Sequence, residues 1–392
     1  MIELLAPAGD LEKLKYALIY GADAVFIGGN NFSLRARASN FNLDTIKEAV
    51  DFAHALGKKV YVTTNIIPHH EDLDGLIEYL KDLERVKVDA VIAASPVIIK
   101  TALDNTNLEV HLSTQQSAIN FEALKFWKNY GVKRIVLGRE LSLDEINLLP
   151  KGEVDLEVFI HGGMCMSFSG RCSLSNNLTL RDANRGGCAH SCRWQYYLYS
   201  EDNKVSDEFF SMSSKDLMAI REVPKLIDYR IASLKIEGRM KSLHYIATVV
   251  KTYRMLIDEY VKTGQIKSFE MYEDEIFKAE NRLTSSGYLD GDIGPDKQLY
   301  EFMGERPNQA FIGLVNDYDK ASGIATIEQR NYFKIGDKIE VFSPNGDNKT
   351  FILDNMTDEK DTSIDVARHA QQIVKIKTPF PLEKYSMLRK LL

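Results

Sequence analysis

The stretch Ile231-Ala232-Ser233-Leu234-Lys235-Ile236, followed by an amphipathic run from residue 243 to about 262, decides the fold. A short apolar and β-branched run reads as a strand, and a longer run with apolar residues at helical spacing reads as the helix that covers it. Worked back toward the N-terminus, the same rhythm recurs. Strands are expected at residues 2–6, 24–27, 59–64, 90–93, 109–113, 134–137 and 156–160, with helices at 11–20, 43–56, 73–86, 121–130 and 143–149. Asp10, Asp72 and Ser142 stand where helix N-caps belong. Seven strands plus 231–236 make the eight that a closed (β/α)8 TIM-like barrel needs. A doubly wound open sheet is the competing α/β fold. No G-x-G-x-x-G follows the first strand, and eight units suit a ring better.

The rhythm breaks between strands seven and eight, so residues about 161–230 form an insertion within a barrel domain of residues 1–265. Residues 266–304 read as a helical linker, with a helical piece at 270–283 leading into Gly287, Gly291, Gly294 and Pro295. Residues 305–392 read as a small all-β barrel. Short strands at 311–315, 323–329, 338–342, 349–353 and 372–377 are separated by turn formers such as Pro344-Asn345-Gly346-Asp347. Hydrophobic residues at 44% and charged residues at 27% exclude a disordered chain. With no long apolar window and no basic N-terminal leader, a cytoplasmic protein without a membrane partner is expected. The formal charge of -7 means that any nucleic-acid partner must be met by a local basic patch.

All four cysteines, Cys165, Cys172, Cys188 and Cys192, fall inside the insertion. In a reducing compartment such a cluster reads as a metal site before it reads as a staple. Four thiolates suit an iron-sulfur cluster or a tetrahedral zinc, and C-x6-C with C-x3-C fits neither the zinc-knuckle nor the ferredoxin spacing. Unligated or redox-active thiols are the third reading. The window opens at the C-terminal end of strand seven, the face on which barrel enzymes build their active sites. Arg171, Arg181, Arg185 and Arg193 accompany the cysteines against one Asp182. Grouped arginines can offset cluster charge or clamp carboxylate and phosphate, or simply cap helices and pair with carboxylates.

The same face should gather the polar residues that follow each strand. These are Asn65, Ser95, Ser113, Thr114, Gln115, Arg139, Glu140, His161, Lys235, Glu237 and Arg239. His161, Lys235, Glu237 and Arg239 are the catalytic candidates. Glu237 with Arg239 reads equally as an internal ion pair, and His161 equally as a core histidine. Gly28-Gly29, with Arg35 and Arg37 following, reads as an anion-admitting turn or as an ordinary one. Hydrolytic motifs fail: His69-His70-Glu71-Asp72 lacks the second histidine of H-E-x-x-H, and Ser169 has Ser167 where G-x-S-x-G needs glycine.

The run Glu157-Val158-Phe159-Ile160-His161-Gly162-Gly163-Met164-Cys165-Met166-Ser167-Phe168-Ser169-Gly170-Arg171-Cys172 resembles the signature of the peptidase U32 family, the collagenase-like proteases. It departs at Gly163, where the pattern has Ala or Ser, and at Met166, where it has Ile or Val. Residues 181–188, Cys192-Arg193-Trp194, Ser214-Lys215-Asp216-Leu217, residues 234–242 and the opening Leu5-Ala6-Pro7-Ala8-Gly9 also match, so the resemblance spans nearly the whole chain. It implies an oxygen-independent hydroxylase, of a family whose members act on a tRNA wobble uridine, an rRNA cytidine or a ubiquinone precursor, with a 4Fe-4S cluster on Cys165, Cys172, Cys188 and Cys192, zinc being the alternative metal. The chain looks most like the branch that makes 5-hydroxyuridine in tRNA with prephenate as the implied oxygen source. The partners implied are tRNA and a small dicarboxylate, and a paralogue is a further partner to consider. Arg171, Arg181, Arg185, Arg193, Asn65 and Gln115 are then expected to hold the dicarboxylate and the base. A peptidase, as the family name says, and a metal-stabilised RNA-binding protein without chemistry are the rival expectations.

Overall fold

A computed structural model describes residues 2–34, 40–279, 282–291, 294–300 and 309–391. Eight parallel strands form its centre: β1 (Glu3–Pro7), β2 (Ala24–Gly28), β3 (Lys59–Thr64), β4 (Ala90–Ala93), β5 (Glu109–Leu112), β6 (Arg134–Val136), β7 (Asp155–Gly162) and β8 (Ser233–Ile236). Each pairs with the next, and β8 pairs in parallel with both β7 and β1, which closes the ring. The expected TIM-like barrel is therefore the observed one. Alternation divides its side chains. Leu4, Val25, Val62 and Val91 turn outward into the helix-covered core, while Leu5, Ala24, Phe26, Tyr61, Ala90 and Ile92 form a small apolar cluster of their own.

Charged side chains fill part of the barrel interior. Glu157 is fully buried between Lys235 Nζ at 2.7 Å and Arg134 Nη1 at 3.4 Å. Arg134 also pairs with Glu3, which accepts hydrogen bonds from Tyr61 at 2.6 Å and Ser233 at 2.8 Å. Burial alone would push the Glu157 carboxyl up, but Lys235, Arg134 and His111 outweigh it and hold it below the usual carboxylate range.

Asp10 caps the first helix by accepting from Lys13 N, and Ser142 forms a capping box with Glu145. Asp72 does not cap its helix. That helix begins later, at Leu76 after Gly75, and the Asp72 carboxylate instead accepts from His69 N and from Arg185. The expected list also lacks the helix Pro96–Asn105, which follows Ser95 with proline in its first turn.

Beyond β8 the helix Leu243–Thr263 packs along the barrel, followed by the helix Phe269–Phe277. Thr284–Ser285 then adds a short parallel strand beside Asp216–Met218, so this stretch is built into the barrel sheet. Residues 280–281 of the expected helical piece and 305–308 of the expected C-terminal domain lie outside the described residues. The C-terminal domain is all-β, a seven-stranded antiparallel half-barrel with its own apolar core. Its strand Met387–Leu391 places Arg389, fully buried, against the helix Leu243–Thr263. There Arg389 Nε donates to His244 Nε2 at 2.8 Å, Nη2 donates to Thr248 at 2.6 Å, and Nη1 pairs with Glu275 at 2.6 Å. Among the described residues no helix is long and apolar enough to cross a membrane.

Candidate active site

A cavity of about 490 Å3 opens over the C-terminal ends of the barrel strands. Phe26, Ile92 and Phe159 give it apolar walls, and all four cysteines line it. Cys165 and Cys188 are exposed, Cys172 and Cys192 half-buried, and all four thiols are free. Three of them bear on the fourth, Cys192. Burial first, then Cys165, raise the Cys192 thiol, Arg193 opposes, and Cys188 and Cys172 raise it further. Among the described residues, no three His, Cys, Asp or Glu side chains converge tightly enough to grip a single metal ion.

Local bonds fix the cysteine-bearing loops to the barrel. Glu140, after β6, accepts from the backbone N and the hydroxyl of Ser169. Asn184 closes on Cys172 from both sides, accepting from its N at 3.3 Å and donating to its O at 3.1 Å.

The structure brings Asn65, Gln115, Arg181, Arg193, Lys235, Glu237 and Arg239 to this one cavity. Asn65 and Gln115 form an amide network: Asn65 Nδ2 donates to Gln115 Oε1 at 3.1 Å, and Gln115 Nε2 donates to Asn65 O at 3.0 Å. Arg181 donates to Cys188 O at 3.3 Å. Lys235 is held by Glu157 and lies over the Phe26 ring, 4.6 Å from its centroid. Arg239 is buried, donating to Ser33 and Thr63 through Nη1 and to Leu34 O through Nη2.

The glycines beside this segment are space-makers. A Cβ on Gly28 would stand 2.3 Å from Arg239 Nη1, and one on Gly162 would stand 2.3 Å from Glu237 O. A Cβ on Gly29 would likewise meet the Tyr79 hydroxyl at 1.9 Å. Gly28-Gly29 therefore admits protein groups, Arg239 and Tyr79. Arg35 and Arg37 lie outside the described residues.

Three expected residues are placed elsewhere. His161 would share the inward face with Glu157 and Phe159 if β7 alternated regularly. A register shift against β8 pairs Lys235 with Phe159 but Ile236 with His161, and this bulge at Ile160 turns His161 to the helix side. There His161 is buried against Tyr245 and Tyr253, with Nδ1 at 3.2 Å from the Tyr253 hydroxyl. Arg185 pairs with Asp72 at 2.6 Å and Glu71 at 3.2 Å, strapping the insertion to the loop after β3. Arg171 is exposed and donates to Ser117 at 2.9 Å. Neither arginine lines the cavity.

Arg139, one of the strand-end residues named above, lines the cavity too, and so does Asp216, which the strand-end rule did not reach. Arg139, after β6, donates to Gly163 O at 2.9 Å and lies over the Phe159 ring. Asp216, buried, is neutralised by Arg282 at 3.0 Å and Lys241 at 3.3 Å. The signal for Arg139 was its place directly after a barrel strand. Asp216 comes from the insertion, where no such rule reaches.

A closed parallel barrel with a thiol-lined, cation-rich cavity over its C-terminal mouth defines a barrel protein with its working site at that face. The chain belongs to peptidase family U32: the model described as "Peptidase family U32" matches residues 9–298, and "Peptidase family U32 C-terminal domain" matches residues 307–389. It is similar to "tRNA hydroxylation protein P1" of Bacillus subtilis (strain 168), 47% identical over 398 residues, covering 99% of this chain and 94% of that protein. It is also similar to "23S rRNA 5-hydroxycytidine C2501 synthase" of Escherichia coli (strain K12), 39% identical over 263 residues, covering 67% of this chain and 40% of that protein. "Collagenase" of Porphyromonas gingivalis (strain ATCC BAA-308 / W83) is 30% identical over 361 residues, covering 87% of this chain and 86% of that protein.

Proposed function

We propose that this chain is an RNA-hydroxylating enzyme that converts a tRNA wobble uridine to 5-hydroxyuridine, with prephenate as the oxygen source and a 4Fe-4S cluster held by Cys165, Cys172, Cys188 and Cys192. The observation that carries the reading is the lining of the cavity. Four soft sulfur donors share it with Arg139, Arg181, Arg193, Lys235, Arg239 and Lys241, against the carboxylates of Asp216 and Glu237. In a chain of net charge -7, that concentration of cations calls for an anionic ligand. Relatives named for hydroxylating tRNA and for making hydroxycytidine in rRNA point to RNA as the other substrate.

Four soft sulfur donors lining one cavity suit an iron-sulfur cluster, with zinc as the alternative metal. A tetrahedral zinc needs four sulfurs within about 2.3 Å of one point. A four-iron cluster is likewise held by four cysteine thiolates. Bound there, it would supply redox and Lewis-acid chemistry. The chain's own residues do the rest. Phe26 and Phe159 give apolar walls, the Asn65–Gln115 amides give a rigid polar wall, and Lys235 and Arg239 hold fixed positive charge at the floor.

Peptidase chemistry needs an activated nucleophile. Pairing Cys165 with His161 is disfavoured because the bulge turns His161 toward Tyr253. Nucleoside analysis of bulk tRNA tests the proposal. Deleting the gene should remove 5-hydroxyuridine derivatives, the wild-type gene should restore them, and Cys188→Ser should not. Persistence of the modification in a deletion strain with no second family member, or full restoration by Cys188→Ser, would overturn it.

A further inference from the structure

Two arginines converge on one glycine of the cysteine loop. Arg139 reaches Gly163 from β6, donating from Nη1 to its carbonyl at 2.9 Å while its guanidinium lies 4.7 Å from the Phe159 centroid. Arg193 comes from the far end of the insertion, and its Nη2 would stand 3.5 Å from a Cβ built on Gly163. Of the remaining cations of the cavity, Arg181 donates to Cys188 O, away from Gly163, and the other three are engaged within the fold. Lys235 is bonded to Glu157, Lys241 to Asp216, and Arg239 to Ser33, Thr63 and Leu34 O. Among the described residues the Arg193 side chain makes no hydrogen bond or ion pair, and Arg139 spends one donor on a carbonyl and none on a carboxylate. A guanidinium carries five N–H donors in a planar fork, so this pair holds most of its donors in reserve.

We propose that Arg139 and Arg193 form a clamp for one carboxylate of the small anionic co-substrate, with the bare Cα of Gly163 as the opening between them. The clamp rests on the functional reading above and deepens it. Carboxylate oxygens accept paired N–H bonds from guanidinium groups, and desolvation in a partly enclosed cavity strengthens them. Packing on Phe159 and the bond to Gly163 hold Arg139 ready, while Arg193 is the arm that gains its first partner on binding.

Calorimetric titration of anaerobically isolated protein tests the clamp, with prephenate and malonate as probes and iron per chain measured on the same samples. Arg193→Gln removes no bond of the folded chain, so it should fold and keep its iron, and its affinity for both probes should fall by at least about 10-fold. Arg193→Lys should recover only part of the loss, because a lysine cannot make the paired contact. Arg139→Gln should weaken binding as well. Binding by Arg193→Gln within twofold of wild type would overturn the clamp while leaving the functional reading intact. Loss of iron in Arg193→Gln would also overturn it, by showing that the arginine serves the cysteines. If wild-type protein binds neither probe, the reading of an anionic co-substrate falls and the clamp falls with it.

Discussion

Replacing Glu157 by Gln removes one negative charge from the centre of the barrel while keeping the side chain's shape. Glu157 is fully buried, 2.7 Å from Lys235 Nζ and 3.4 Å from Arg134 Nη1. Arg134 retains Glu3 as a partner in the variant, whereas Lys235 loses its carboxylate. A unit-charge pair about 4 Å apart at an effective dielectric of about 20 attracts by roughly 4 kcal/mol. Breaking a buried pair from one side typically costs about 3–5 kcal/mol, because the surviving charge is stranded. Glu157→Gln should therefore lose about 3 kcal/mol in urea unfolding at pH 7.5. The double variant Glu157→Gln/Lys235→Met should recover more than half of that, since it strands nothing. A single variant within about 1 kcal/mol of wild type, or a double variant no more stable than the single, would refute the claim that this ion pair sets the cavity floor.

Burial, then the charges of Arg389 and Lys278, hold His244 well below the usual histidine range, so it stays neutral and accepts from Arg389. Its contribution is present above the unfolded value of about 6.5 and declines by about 1.4 kcal/mol per pH unit below it. His244→Gln should lack this decline when urea unfolding is compared at pH 7.5 and 5.5; parallel curves would contradict it. Burial, with Asp290 adding to it, pushes the Glu222 carboxyl up to about 7, so its charged form costs stability as pH rises from about 4.5 to 7. Glu222→Gln should be more stable than wild type by about 1 kcal/mol at pH 8, the shift being discounted for partial exposure, and equal to it near pH 4. Gly28→Ala would place a Cβ 2.3 Å from Arg239 Nη1 and should cost about 1–3 kcal/mol by displacing a buried guanidinium. An unchanged unfolding midpoint would show that this site has room to give.

The barrel was legible because its strands are continuous β-branched runs separated by capped helices, and both signals are local. Pro96–Asn105 escaped because only Ala94 and Ser95 separate the strand Ala90–Ala93 from it, and its own first turn continues the apolar run. The strand Met387–Leu391 escaped because Arg389 and Lys390 make it look solvated, whereas Arg389 is buried against the helix Leu243–Thr263 by partners distant in sequence. In the site, the convergence of the four cysteines could be read from the barrel rule and their shared window. The direction of His161 could not, since one extra residue at Ile160 reverses the alternation without marking the sequence. Arg185 and Arg193 look alike in the chain, and only the fold separates the one bonded to Asp72 from the one that faces the cavity.

The central claim concerns what the four thiols hold. Iron and acid-labile sulfide should be measured per chain, under nitrogen, on wild-type protein and on Cys172→Ser. The account predicts about four of each in wild type and a marked loss in the variant. One equivalent of zinc with no sulfide, or iron content indifferent to the loss of Cys172, would contradict it.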